Sequence, residues 1–238
     1  MAALTYSDYL HLDTLLSLQV PHAPDTADPA LVLAEHLFIV AHQSCELWFK
    51  QVVVDLAAAA DALSPVTGAI DGELSAEILQ RVSELLRVLH DQLVALERLP
   101  LRHFAEFRPY LETASGAQSS QFRTVTDLLG DDRRPGRLYE AFRAAIAHNG
   151  LSVTEVCRSG TRAGVYHRIA ESLLDVGNGY WRWKIAHLSL LSRMLGDLPG
   201  TGGTSGVAHL VRRTSMPFPE LRRLRGEVHD DLAPAREA

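Results

Sequence analysis

From Asp28-Pro29 to about Leu63, apolar residues recur at helical spacing, which predicts one unusually long helix. Asp28 serves as its N-cap, and Pro29 takes the first helical position, where a missing N–H costs nothing. Ser64-Pro65 breaks it. Within it, Phe38, His42, Cys45 and Phe49 stand at i, i+4, i+7 and i+11, so a histidine and two aromatics share one face. Glu46 and Lys50 are spaced as an i,i+4 ion pair on its outer side.

The rest of the chain is helical in pattern, with no strand alternation and no internal repeat. A second long helix is predicted from about Leu74 to Leu99, through Ile78, Val82, Leu85, Leu89, Leu93 and Leu96, and Pro100 ends it. A shorter helix carries Phe104, Phe107 and Arg108. Pro109 biases Arg108 away from the αR region, toward a bend or helix end. Thr113 to Ser120 is polar and reads as a loop. Helices follow near Gln121–Leu129 and Arg137–His148, stopped by Gly130 and Asn149-Gly150. Ser152 to Gly164 has no clear pattern. Val165–Val176 is helical, Gly177-Asn178-Gly179 interrupts, and Tyr180–Leu195 resumes until Gly196. There Trp183, His187, Leu190, Leu191 and Met194 share a face. A short helix near 206–213 and a last one from about Pro219 complete the fold class: all-α.

At 238 residues, 47% of them hydrophobic, the chain predicts a single domain spanning 1–238. Such a chain buries roughly 70% of its unfolded surface and needs no staples. Residues 1–27 form an N-terminal arm and 230–238 a frayed tail. A net charge of −6 without a basic stripe argues against nucleic acid. Arg212-Arg213 and Arg222-Arg223-Leu-Arg225 lie beside Glu220 and Glu227, as on a solvated helix face. Two cysteines, no basic-then-apolar leader and charge-punctuated apolar stretches predict a cytoplasmic protein with no membrane span.

His42 has two ordinary alternatives: a hydrogen-bonded core histidine, or a zinc or di-iron ligand together with Cys45 and Glu46. His187, walled by Trp183, Leu190, Leu191 and Met194, has the flat apolar surroundings of a proximal ligand to a planar macrocycle. The loop Gly200-Thr-Gly-Gly-Thr-Ser-Gly206 lacks the lysine of a phosphate-binding loop and follows a helix rather than a strand. It reads either as a linker or as a lid offering the Thr201 hydroxyl and glycine amides. Arg108, among Phe104, Phe107 and Tyr110, is either a surface arginine or a clamp for a carboxylate.

Taken in order, these motifs resemble the tryptophan 2,3-dioxygenase family. The resemblance runs through Leu4-Thr-Tyr6-Ser-Asp-Tyr9-Leu10, Leu37-Phe38-Ile-Val-Ala-His42-Gln43 and Glu46-Leu47-Trp48-Phe49-Lys50. It continues through Phe107-Arg108, Ala114-Ser115-Gly116, Gln121-Phe122-Arg123, Trp183 with His187, the glycine loop, and Phe218-Pro219-Glu220-Leu221. It implies a helical bundle enclosing heme b between the long distal helix and a proximal helix in the C-terminal half. His187 would be the axial iron ligand, with Trp183 and Gly202 also at the cofactor. His42 would accept the indole N–H, Phe38 and Phe104 would wall the indole, and Arg108 and Thr201 would hold the amino-acid end. Tyr6, Tyr9 and Leu10 would reach in from a neighbouring subunit of a homotetramer. L-tryptophan, or a substituted tryptophan, and O2 are the implied substrates.

The chain departs from the pattern in five places. It is short between Arg123 and His187, and Gly177-Asn-Gly179 predicts a kink in the proximal helix. Ala117 and Thr204 replace a common phenylalanine and a usual serine, and Cys45 stands where tyrosine or serine is common. The leading expectation is ring-cleaving dioxygenation to an N-formylkynurenine-type product. The alternatives are a monooxygenase forming an oxindole, a non-catalytic heme sensor, and a heme-free metalloenzyme.

Overall fold

A computed structural model describes residues 3–66, 68–201, 207, 211 and 214–232. Its described residues form helices with no named strand, which bears out the all-α fold. Helix α3 (Pro29–Leu63) is the predicted long helix, and Asp28 caps it by accepting the Ala30 N–H at 2.9 Å. Its inner face carries Phe49, Val52, Leu56, Ala59 and Leu63, all buried. Helix α4 (Gly72–Asp91) packs against α3 on one side and α10 (Val165–Leu195) on the other. Arg81 on α4 forms a two-bonded ion pair, 2.9 Å per bond, with the buried Asp55 of α3, and Gln51 donates to the same carboxylate.

Several boundaries differ from expectation. The helix expected over 74–99 is broken at Gln92 into α4 and α5 (Leu93–Glu97), and both pieces keep their apolar residues buried. α6 (Leu101–Phe107) ends as foreseen at Arg108, yet Arg108 itself is αR and starts a 3₁₀ turn, so the proline bias is overridden. The expected loop after Thr113 contains the 3₁₀ turn Gly116–Gln118, closed by a Ser115/Gln118 capping box. α7 (Ser120–Leu129) and α8 (Arg137–His148) match expectation, and the unassigned stretch holds α9 (Val153–Ser159). Glu46 and Lys50 are both exposed, but no ion pair joins them among the described residues.

The clearest correction concerns Gly177 and Gly179. They do not interrupt the helix; α10 runs unbroken through both. A Cβ on Gly177 would come within 3.1 Å of the Phe218 ring, and one on Gly179 within 3.2 Å of Leu86. The two glycines are notches that let α4 and the start of α11 (Pro219–Leu232) approach α10, and that packing outweighs their poor helix propensity.

The N-terminal arm has the opposite character. α1 (Tyr6–Leu10) and α2 (Leu12–Leu15) bury nothing, and Tyr6 and Tyr9 are 74% and 69% exposed. Its root is firm: the buried Glu35 carboxylate accepts the His22 and Ala23 N–H groups at 2.8 and 2.9 Å. Gln43 bonds both the Gln19 side chain and the Leu18 carbonyl. On the outer face of α3, Leu33, Val40, Leu47 and Val54 are exposed at seven-residue intervals. No helix among the described residues is long and apolar enough to cross a membrane.

Candidate active site

Helices α3 and α10 touch through Phe49 and Trp183, whose rings meet edge to face at 4.9 Å. His42 lies two turns before Phe49 on α3, and His187 one turn after Trp183 on α10. Both histidines therefore belong to one end of this contact.

On the α3 side, the His42 ring lies 4.0 Å from Phe38, and Phe38 packs on Phe107 at 5.4 Å and Phe104 at 6.0 Å. Helix α6 thus delivers two aromatics to Phe38, the neighbour of His42, because Phe104 and Phe107 are three residues apart. His42 Nδ1 sits 2.7 Å from the Phe38 carbonyl oxygen. A carbonyl only accepts, so Nδ1 carries the proton and Nε2 presents a lone pair. Burial lowers the His42 pKa below the usual histidine value, outweighing the Phe38 bond and the charge of Glu46, and keeps the ring neutral.

On the α10 side, the Trp183 and His187 planes are parallel within 9° at 5.1 Å. Phe122 and Phe49 close the other flanks of Trp183. Burial, and next the charge of His42, lower the His187 pKa to about 4. A neutral imidazole with a free lone pair is the form that ligates a metal.

Arg108 and Thr201 bond across the same junction. Arg108 Nη2 donates to the Pro199 carbonyl at 2.5 Å, and Thr201 Oγ1 donates to the Ala114 carbonyl at 2.5 Å. The two residues thus tie the chain entering the glycine loop to the segment after α6. Gly202, the remaining cofactor residue expected from sequence, lies outside the described residues, as do Thr204, most of 206–213 and the tail from 233.

A sequence profile described as tryptophan 2,3-dioxygenase matches residues 1–155 and 140–227. The chain belongs to the tryptophan 2,3-dioxygenase family. A tryptophan 2,3-dioxygenase of Anaeromyxobacter sp. (strain K) is 34% identical over 95% of this chain and 97% of its own length. One from Herpetosiphon aurantiacus is 30% identical over 95% and 99%, and one from Pseudomonas aeruginosa 28% over 95% and 90%. The Anaeromyxobacter alignment runs to 268 positions against 238 residues here, so that relative has residues this chain lacks. The two profile matches overlap at 140–155, the junction of α8 and α9, inside the stretch that sequence marks as short for this family.

The metal alternative for His42 has no geometric support within the protein: among the described residues, no three His, Cys, Asp or Glu side chains converge as ligands. Cys45 instead accepts from Gln92 Nε2 at 2.6 Å, and burial pushes its pKa up to about 11, so it stays a thiol. Tyr6, Tyr9 and Leu10 stand exposed on the arm. Sequence reasoning did not assign Phe107, Phe49 or Phe122 to the site; the i, i+3 aromatic pair on α6 and the i, i+7 relation of Phe49 to His42 were the available signals. It also missed Lys184, which donates to the Ser215 carbonyl at 2.6 Å and lies over the Tyr180 ring.

Proposed function

We propose that this chain is a heme b-dependent oxidoreductase that inserts both atoms of O2 across the indole C2=C3 bond of L-tryptophan. The observation that carries the proposal is the pairing of His187, neutral and unbonded among the described residues, with His42, whose Nε2 is left as an acceptor. The protein's residues fit heme b in two further respects. The Trp183 Nε1 donor is buried without a partner, and flat aromatic surfaces line both histidines.

His187 would hold the heme iron, and Trp183 and Gly202 would contribute to holding the cofactor. Ferrous heme supplies the binding and activation of O2. The residues of the chain bind and orient. His42 Nε2 accepts the indole N–H, and Phe38 and Phe104 wall the indole ring. Arg108 takes the substrate carboxylate, for which its planar fork is matched, and Thr201 meets the ammonium and carboxylate. His42 is not an obligatory base: the indole N–H is far too weak an acid for imidazole to remove it outright. Positioning is therefore the main contribution of the site.

The exposed arm and the seven-residue apolar stripe on α3 support assembly with further copies of the chain, as a homotetramer. In that assembly Tyr6, Tyr9 and Leu10 of one subunit complete the site of another. Two free cysteines, Cys45 and Cys157, fit the reducing cytoplasm.

The deciding experiment gives reduced, heme-loaded protein L-tryptophan and O2 and weighs the product. Gain of two oxygen atoms is expected. Gain of one, as in an oxindole, would replace the ring-cleaving assignment with monooxygenation. Tryptophan that perturbs the heme spectrum but is never consumed would leave a heme sensor in place of an enzyme.

A further inference from the structure

Among the described residues, Trp183 Nε1 is the one buried side-chain nitrogen or oxygen with no hydrogen-bond partner. Its residue is 7% exposed. None of its ring neighbours supplies an acceptor. Phe49 and Phe122 have no in-plane lone pair, and His187 stacks face to face, with its nitrogens aimed along its own plane. A phenylalanine here would pack against the same rings without stranding a donor. Folds rarely leave such a group unpaired unless something else arrives to pair it.

The bound group proposed above brings a short menu of acceptors. The edge of heme b carries methyl and vinyl groups and two propionates, and among these only the carboxylates accept hydrogen bonds. Trp183 stacks on His187 one helical turn away, so a macrocycle held by His187 would lie beside its ring. We propose that the Trp183 indole N–H is a reserved donor to a heme propionate, making Trp183 a recognition residue for the carboxylate edge of the cofactor. The inference rests on the heme reading and adds a specific partner to it. A charge-assisted bond of this kind holds cofactor as well as ring packing does, and it discriminates against heme whose carboxylates are blocked.

The test compares wild type with Trp183→Phe, each loaded with heme and separately with heme dimethyl ester, whose carboxylates are esterified. Release is followed as transfer to excess apomyoglobin. Trp183→Phe is expected to release heme about tenfold faster, the scale of one charged hydrogen bond. For the dimethyl ester, the wild-type and variant rates should converge, because an ester is a weak, uncharged acceptor. A variant that speeds release of both hemes by the same factor overturns the proposal and leaves Trp183 as packing. Ultraviolet resonance Raman on the wild type gives a readout that does not depend on the variant's folding. The indole N–H band assigned to Trp183 should move to its hydrogen-bonded position on loading with heme, and an unmoved band in a heme-loaded protein refutes the assignment. Failure to take up heme at all, with no Soret band, instead overturns the cofactor reading and this inference with it.

Discussion

The role given to His42 makes a quantitative demand on His42→Ala. The Nδ1–Phe38 bond fixes Nε2 as a neutral acceptor, so the side chain contributes one neutral hydrogen bond to the indole. Such a bond is worth about 0.5–1.5 kcal/mol net, a loss of roughly two- to twelvefold in kcat/KM. Removal of an obligatory general base would instead cost about 10²–10⁴-fold. The assay is stopped-flow turnover of the ferrous, heme-loaded protein with L-tryptophan and with 1-methyl-L-tryptophan, which has no indole N–H to offer. His42→Ala should slow the first substrate within the smaller range and leave the second unchanged or faster. The pH profile follows from the same geometry. Protonating Nε2 turns the acceptor into a donor, and burial holds the His42 pKa below 6.5. Wild-type kcat/KM should therefore be flat above 6.5 and fall only at lower pH. A thousandfold loss with heme and tryptophan still bound, or equal losses for both substrates, would refute the acceptor role.

Three further outcomes follow. Arg108→Ala should raise KM for L-tryptophan about ten- to a hundredfold, the range for a hydrogen bond to a charged group, with a smaller change in kcat; an unchanged KM removes Arg108 from the carboxylate site. Gly179→Ala should lower stability to urea by about 1 kcal/mol, because overpacking against the fully buried Leu86 at 3.2 Å exceeds the gain in helix propensity; a stabilised variant would show that α4 yields easily. Burial lowers the Lys184 pKa from 10.5 to about 8, so the unfolded chain binds more protons between those values and stability rises with pH across that window. The stability of wild type relative to Lys184→Met should therefore be level below pH 8 and climb from 8 toward 10.5; a flat difference in urea unfolding would contradict the burial of that charge.

The long elements were legible because local signals agree with packing. Asp28-Pro29 starts α3 where a cap and a pre-set φ coincide, and the unbroken apolar period carries it to Leu63. The stack of Trp183 on His187 follows from i, i+4 spacing on one helix. Gly177 and Gly179 were misread because propensity is a local quantity, whereas the approach of Phe218 and Leu86 is a tertiary one. The break at Gln92 leaves no mark in a sequence whose apolar period runs on through it. The bond from Gln92 to Cys45 spans 47 residues, and that from Glu35 to the arm joins elements that no periodicity relates. The pairing of His42 with His187 came only through the family resemblance, since nothing in either helix names the other.

The turn between α8 and α9 bears on how a member of this family can be shorter than its relatives. α9 begins with a capping box in which Ser152 Oγ accepts the Glu155 N–H at 3.2 Å, and Glu155 accepts the Ser152 N–H at 2.7 Å. Both bonds are internal to four residues, so this helix start asks nothing of the chain that precedes it. Upstream, the end of α8 is closed by its own bonds, from the Asn149 side chain to the Ala145 carbonyl and from the Leu151 N–H to the Ile146 carbonyl. Two self-sufficient ends meeting at a surface turn make a seam, where evolution can splice segments in or out while the helices bearing His42 and His187 keep their places.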